Sequence, residues 1–246
     1  MRYILFDIDG TLTAGGTGGS SGVLALNLAF EELFGLADGF STIQMAGKTD
    51  PIITREAFHL HGIELTREDS KRLRERYLHH LGMLIAMPGR QQRVLPGVRD
   101  ILDALYRRED VALGLLTGNW REGARMKLAS AGLDAYFTAP SSSDASGTLD
   151  GFGLFGAFGD DATIRAELVP VAWRRFREHT GRDVAPKETI IIGDTPRDVE
   201  CAQANGTRSI AVATGPYSVE ELRASNADEV LANLGDTETV LRLLLR

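Results

Sequence analysis

The chain begins with a nearly continuous apolar run, Met1 to Phe6, that ends in Asp7-Ile8-Asp9-Gly10-Thr11. A run with so little alternation suits a strand buried on both faces, as strands of parallel sheets are. Asp7 and Asp9 are therefore predicted at the C-terminal end of that strand, the end where open α/β sheets bind their ligands. Alternate residues of a strand share a face, but Gly10 allows a sharp turn, so the two carboxylates need not stay parallel. Two neighbouring anions repel unless a positive charge sits beside them, and a hard cation such as Mg²⁺ would serve. Asp, Gly and Thr are also ordinary turn formers, so on its own the segment reads equally as a strand followed by an Asp-rich turn.

A second segment repeats the design. Thr189-Ile190-Ile191-Ile192-Gly193-Asp194 is a β-branched run ending in a carboxylate, and Pro196 stands where a helix can begin. A helix over 196–204 lets Asp194 and Asp198 both face the strand's C-terminal rim, where with Asp7 and Asp9 they offer the oxygen-rich environment Mg²⁺ prefers. Asp194 or Thr195 could equally cap that helix. Between the two segments, Leu113 to Leu116 leads into Thr117-Gly118-Asn119 and a predicted helix over 121–131. A hydroxyl, a glycine and an amide at such a turn can hold phosphate oxygens beside free helix N–H groups, and they can also serve only as caps.

Strands alternating with helices imply a mostly parallel α/β sheet with right-handed crossovers. Helices are predicted over 98–108, 121–131, 164–179 and 196–204, and strands near 136–138, 208–213 and 229–231. The Gly-rich stretch 14–22 lacks the Gly-Lys-Ser/Thr ending of a phosphate-binding P-loop and reads as a hinge. From Val23 to Met87 the pattern is helical, and Pro88-Gly89 and Pro96-Gly97 bracket the return. The expected layout is a core of residues 1–14 and 92–246 with an all-helical insertion over 15–91. Residues 139–160, with Phe152, Phe155 and Phe158 spaced among glycines, fit either a hairpin or an ordered loop.

In this order, Asp7-Ile8-Asp9-Gly10-Thr11, Leu116-Thr117-Gly118-Asn119 and Gly193-Asp194-Thr195-Pro196-Arg197-Asp198 resemble motifs one, two and four of the haloacid dehalogenase superfamily. The likeness covers nearly the whole chain and is strongest to the phosphoglycolate-phosphatase-like hydrolases. Gly47-Lys48-Thr49-Asp50 is similar to a turn in the helical caps of that subgroup. The resemblance implies a Rossmann-like core with a helical cap, and a Mg²⁺-dependent phosphatase acting on a small phosphorylated metabolite through a covalent aspartyl-phosphate. Asp7 would be the nucleophile and Asp9 the general acid and base. Mg²⁺ would be held by Asp7, the Asp9 carbonyl and Asp194, with Asp198 as an outer ligand. Thr117, Gly118 and Asn119 would hold the phosphate, and Lys48 and Thr49 would reach the substrate from the cap.

The family's third motif, a basic residue that neutralises the phosphate, departs from its usual Lys-Pro form. Arg165 is expected in that role, since a guanidinium binds phosphate bidentately. Lys127 competes, although Arg121, Arg125 and Lys127 recur along one helix as a solvated face would. A sugar phosphomutase and a non-catalytic phospho-acceptor module share parts of the pattern, while a dehalogenase would lack Asp9. The formal charge of −7 argues against a nucleic-acid partner. No apolar run approaches the roughly 20 residues of a membrane span. The single cysteine, Cys201, is expected to be a packing residue, and it suits a reducing compartment. With no signal ahead of the first strand, a cytoplasmic enzyme is expected. The five histidines show no metal-ligand spacing.

Overall fold

The structure, a computed structural model, describes residues 1–17, 19–138 and 155–246. Six parallel strands form the central sheet: β1 (Arg2–Phe6), β4 (Val111–Leu116), β5 (Gly156–Ala157), β6 (Thr189–Gly193), β7 (Arg208–Val212) and β8 (Glu229–Leu231), in the order β5-β4-β1-β6-β7-β8. The apolar run at the start of the chain thus becomes β1, paired on both edges. Phe6 stands opposite Leu115 on one side and Ile192 on the other, so the residues after all three strands emerge at one level. The chain runs outward from β1 on the β4 side and resumes on the other side at β6. That reversal of strand order opens a crevice at the C-terminal end of β1.

Alternation along β1 feeds two cores. Ile4 and Phe6 pack with Ile190, Ile192 and Ile210 under helices α4 (Val98–Tyr106), α5 (Arg121–Ala131) and α9 (Thr237–Leu245). Tyr3 and Leu5 face the opposite way, against α6 (Leu168–Thr180) and α7 (Pro196–Ala204), where Phe176 and Cys201 are buried. The remaining core helix, α8 (Val219–Ala224), covers β7 through Leu222.

A third hydrophobic cluster belongs to α1 (Ser21–Phe34), α2 (Asp50–Leu60) and α3 (Arg67–Ala86). Phe30 is its hub, meeting Phe40 and Phe58 edge-on at ring-centroid distances of 5.4 Å each. Such pairs add about 0.5–1.5 kcal/mol each beyond the area they bury. Trp120 enters the cluster from the sheet side. The two connections to this helical unit run side by side as a ribbon, β2 (Thr13–Ala14) antiparallel to β3 (Arg93–Val94).

Three expectations need correction. Residues 134–137 form a 3-10 helix, and no β-strand spans 136–138. The edge of β4 is instead paired with Gly156–Ala157, leaving Phe137 free to point into the core. The helix predicted over 164–179 starts as a 3-10 turn, Arg165–Glu167, and becomes α-helical only at Leu168. Pro170 explains the delay, because its ring would clash with the carbonyl of residue 166 in a continuous α-helix. Finally, α1 begins at Ser21, so the last glycine of the Gly-rich stretch, Gly22, is helical. The hairpin-or-loop alternative for 139–160 falls largely outside the described residues; within them, 156–157 is a parallel edge strand.

Candidate active site

Both acidic strand ends and the Thr117 turn converge on one cavity of about 330 Å³. Asp7 follows β1 directly, its backbone N–H donating to the Ile192 carbonyl at 2.9 Å, which fixes it at the sheet's rim. Asp194 follows β6, and one carboxylate oxygen accepts the Thr11 hydroxyl at 3.3 Å. Asp198, in the first turn of α7, accepts from the Thr195 N–H and hydroxyl at 3.0 and 2.7 Å. Helix capping thus involves Thr195 and Asp198, and leaves Asp194 to the cavity.

Each of Asp7, Asp194 and Asp198 presents one oxygen such that the three lie within 4.8 Å of one another, all buried. Glycines permit this crowding. A Cβ on Gly10, whose φ is +82°, would stand 2.2 Å from Asp194 Oδ2, and one on Gly193 would stand 2.0 Å from Asp198 Cγ. Burial, with the Asp198 and Asp9 charges adding to it, pushes Asp7 up to about 6 despite the opposing pull of Arg165. Asp194 is raised well above the ordinary carboxylate range, first by burial and then by Asp7 and Asp198.

Among the described residues, Arg165 is the positive group ion-paired with this trio. Its Nη2 is 3.1 Å from Asp7 Oδ2 and 2.5 Å from Asp198 Oδ1, and it also donates to the Leu116 carbonyl at 3.1 Å. Three carboxylates against one guanidinium leave an excess of buried acidic groups, and Asp198 Oδ1, ion-paired with Arg165, lies outside hydrogen-bonding geometry. A hard divalent cation fits that all-oxygen donor set.

Asp9 faces elsewhere. Its Oδ2 accepts from Lys127 Nζ at 2.6 Å and from Asn119 Nδ2 at 2.8 Å, and its carboxylate is not part of the trio. Lys127, weighed as a competing phosphate cation against a solvated face, does not lie on such a face: its side chain is 5% exposed. Arg121 is buried too, its guanidinium over the Phe158 ring at 4.3 Å. Both candidate cations for the phosphate reach the cavity, Arg165 beside Asp7 and Lys127 beside Asp9.

Thr117 and Asn119 do not cap α5. The Asn119 amide donates to Thr117 Oγ1 at 2.8 Å, while the N–H groups of Trp120 and Arg121 are taken by Asp50 and Asp160 at 2.8 and 2.6 Å. The role of these two carboxylates was not legible in the sequence. The only hint was that Asp50 starts a Pro-containing helix. Lys48 lines the cavity and pairs with Glu56 at 2.5 Å. Thr49 is corrected in position: fully buried, it donates its hydroxyl to the Thr163 carbonyl at 2.8 Å and is not among the residues lining the cavity. It braces the turn from behind.

That turn lies directly on the Thr117-Gly118-Asn119 loop. The Asp50 N–H donates to the Gly118 carbonyl at 2.8 Å, and a Cβ on Gly118 would meet the Lys48 carbonyl at 2.1 Å. Gly118→Val is expected to force the 47–50 turn off the loop. With a phosphate ester, its kcat/KM should fall at least about tenfold, since a misplacement near 1 Å can cost about 10²-fold in rate; an unchanged kcat/KM would show that the turn takes no part in positioning the ester.

Comparison with known proteins agrees with this geometry. A curated phosphoglycolate phosphatase of Rhodospirillum rubrum is 27% identical over 239 residues, covering 96% of this chain and 90% of its own. A hydrolase from Pseudomonas syringae superposes with a TM-score of 0.69 at 20% identity over the full length of both chains. CbbY from Rhodobacter sphaeroides, solved in complex with phosphate, superposes with a TM-score of 0.67 at 18% identity, covering 96% of each chain. At these identities the two solved structures establish the fold. The family model for haloacid dehalogenase-like hydrolases matches residues 4–203, from β1 through nearly all of α7, so it spans every strand end that contributes a carboxylate to the cavity. This chain belongs to the haloacid dehalogenase-like hydrolases.

Proposed function

We propose that the protein is a Mg²⁺-dependent phosphatase that hydrolyses a small phosphorylated metabolite, of phosphoglycolate or sugar-phosphate type, through an aspartyl-phosphate on Asp7. The observation that carries this reading is the division between two neighbouring carboxylates: Asp7 lies with Arg165, Asp194 and Asp198, while Asp9 is turned toward Lys127 and Asn119. This division supports attack by the first, inside an acidic cluster that a bound cation would neutralise, and proton transfer by the second, outside that cluster.

In the first step an Asp7 carboxylate oxygen attacks phosphorus, the ester P–O bond breaks, and Asp9 delivers its proton to the leaving oxygen. In the second, water attacks the same phosphorus, Asp9 takes the water's proton, and the bond to Asp7 breaks to release inorganic phosphate. Asp7, Asp194 and the Asp9 carbonyl, with Asp198 beside them, would hold Mg²⁺, which would supply screening of anion repulsion and stabilisation of transition-state charge. Arg165, in contact with Asp7, would neutralise the phosphoryl oxygens.

The helical unit over 15–91 is assigned as a cap that covers the crevice and excludes water during phosphoryl transfer. Its wall of the cavity sets Lys48, a charged group for a phosphorylated substrate, among the apolar Val23, Leu26 and Ile53. The net charge of −7 argues against a nucleic-acid partner, and no helix among the described residues is long and apolar enough to cross a membrane. The buried thiol of Cys201, pushed up to about 12 by burial, suits an unreactive packing role in a reducing compartment such as the cytoplasm.

The reading is tested by phosphate release from a panel of phosphorylated metabolites with Mg²⁺ and with chelator. Turnover is expected with Mg²⁺ and should vanish with chelator, and Asp9→Asn should lower kcat by about 10²–10⁴-fold with the affinity for Mg²⁺ retained. Release of no phosphate from any ester would overturn it. Return of the phosphoryl group to a sugar would point to a mutase.

A further inference from the structure

Lys127 is a buried cation that the phosphoryl-transfer scheme leaves without a task. Arg165 already serves Asp7 and Asp198, and Lys127 has no contact with either. Its ammonium closes a three-membered ring instead: Lys127 donates to Asp9 Oδ2 and to Asn119 Oδ1, each at 2.6 Å, and Asn119 donates to the same Asp9 oxygen at 2.8 Å. Gly22 in the first turn of α1 leaves room for this, since a Cβ there would come within 3.3 Å of Nζ.

The ring is lopsided in a useful way. Both bonds to Asp9 fall on Oδ2, and no hydrogen bond among the described residues engages Oδ1. The Asp9 side chain is 45% exposed, and these two bonds are the hydrogen bonds that hold its carboxylate in one rotamer. We propose that Lys127 is a positioning residue for proton transfer. With Asn119 it fixes Asp9 through Oδ2, so that Oδ1 is the oxygen that gives its proton to the leaving group and later takes one from water. This rests on the phosphatase reading above and gives Lys127 a part in it distinct from phosphate neutralisation.

The distinction can be measured through the leaving group. A nitrophenolate departs without a proton, whereas an alkoxide needs one, so loss of a well-placed general acid penalises alkyl esters selectively. Lys127→Met keeps most of the stem and removes the ammonium, and Lys127→Arg keeps the charge but moves it outward. For each, kcat is compared with wild type on the most reactive alkyl ester of the metabolite panel and on p-nitrophenyl phosphate.

The alkyl rate of Lys127→Met should fall at least about tenfold further than its aryl rate, and that of Lys127→Arg should fall further by a smaller factor. Equal losses on both esters would overturn the proposal and return Lys127 to phosphate binding or plain structural support. An undiminished alkyl rate would overturn it as well. If Lys127→Met does not fold, the two rates of Lys127→Arg decide the matter by the same criterion. Wild-type protein that cleaves neither ester would instead sink the phosphatase reading itself.

Discussion

Asp7→Asn is expected to reduce phosphate release by at least about 10⁴-fold, because the amide cannot form the phosphoryl-enzyme bond and only binding and electrostatic contributions survive. The same substitution should stabilise the metal-free protein at neutral pH. Asp7 is buried, and its carboxyl is raised from the ordinary 3.8 to about 6. Between those values the folded chain binds more protons than the unfolded chain, so this group's contribution to stability falls as pH rises from about 4 to about 6. Asparagine removes the charge and with it that loss. Thermal unfolding in chelator should therefore give a Tm a few degrees higher than wild type at pH 7, with a flatter dependence between pH 4 and 6. Turnover near the wild-type rate would exclude Asp7 as nucleophile, and a lower Tm would mean that its pairing with Arg165 outweighs burial and repulsion.

Arg165→Ala should harm both stability and activity. The guanidinium spans Asp7, Asp198 and the Leu116 carbonyl from a side chain that is 7% exposed. Removing one member of a buried ion cluster costs about 3–5 kcal/mol, chiefly because the remaining charges are left without compensation. For a chain of this size that lowers Tm by about 10 °C. Loss of a preorganised donor to the phosphoryl oxygens should lower kcat by roughly 10²–10³-fold. Mg²⁺ should raise the Tm of the variant more than that of wild type, since three carboxylates then share no internal cation. Arg165→Lys should recover part of the stability and little of the activity, because one ammonium cannot reach three acceptors. A variant with wild-type kcat would assign phosphate neutralisation elsewhere.

Much of this was legible in the chain because it is written locally. Asp7 and Asp194 end apolar runs, so strand and carboxylate could be placed together, and the helices over 121–131 and 196–204 fall where their starting residues indicate. Lys127 was harder to read. Its spacing from Arg121 and Arg125 describes a helix in isolation, while its burial is set by Asp9 and Asn119, residues on other elements. Thr49 was misjudged for the same reason: its partner, the Thr163 carbonyl, is 114 positions away. Asp50 and Asp160 satisfy the N–H groups of Trp120 and Arg121 in place of the neighbouring Thr and Asn, and no local capping pattern announces acceptors so distant in sequence. The 3-10 helix at 134–137 shows how a short apolar stretch is decided by which segment takes the open edge of β4.

The ribbon of β2 and β3 has a consequence for how such a protein can change. Ala14 and Arg93 are paired across it, about 5 Å apart, so the chain leaves the sheet and returns to it at almost the same point. A two-residue turn could close that gap. Everything between thus has adjoining ends, and its length can change without shifting the register of the catalytic strands, whereas its loss would strip the Trp120 N–H of the Asp50 carboxylate.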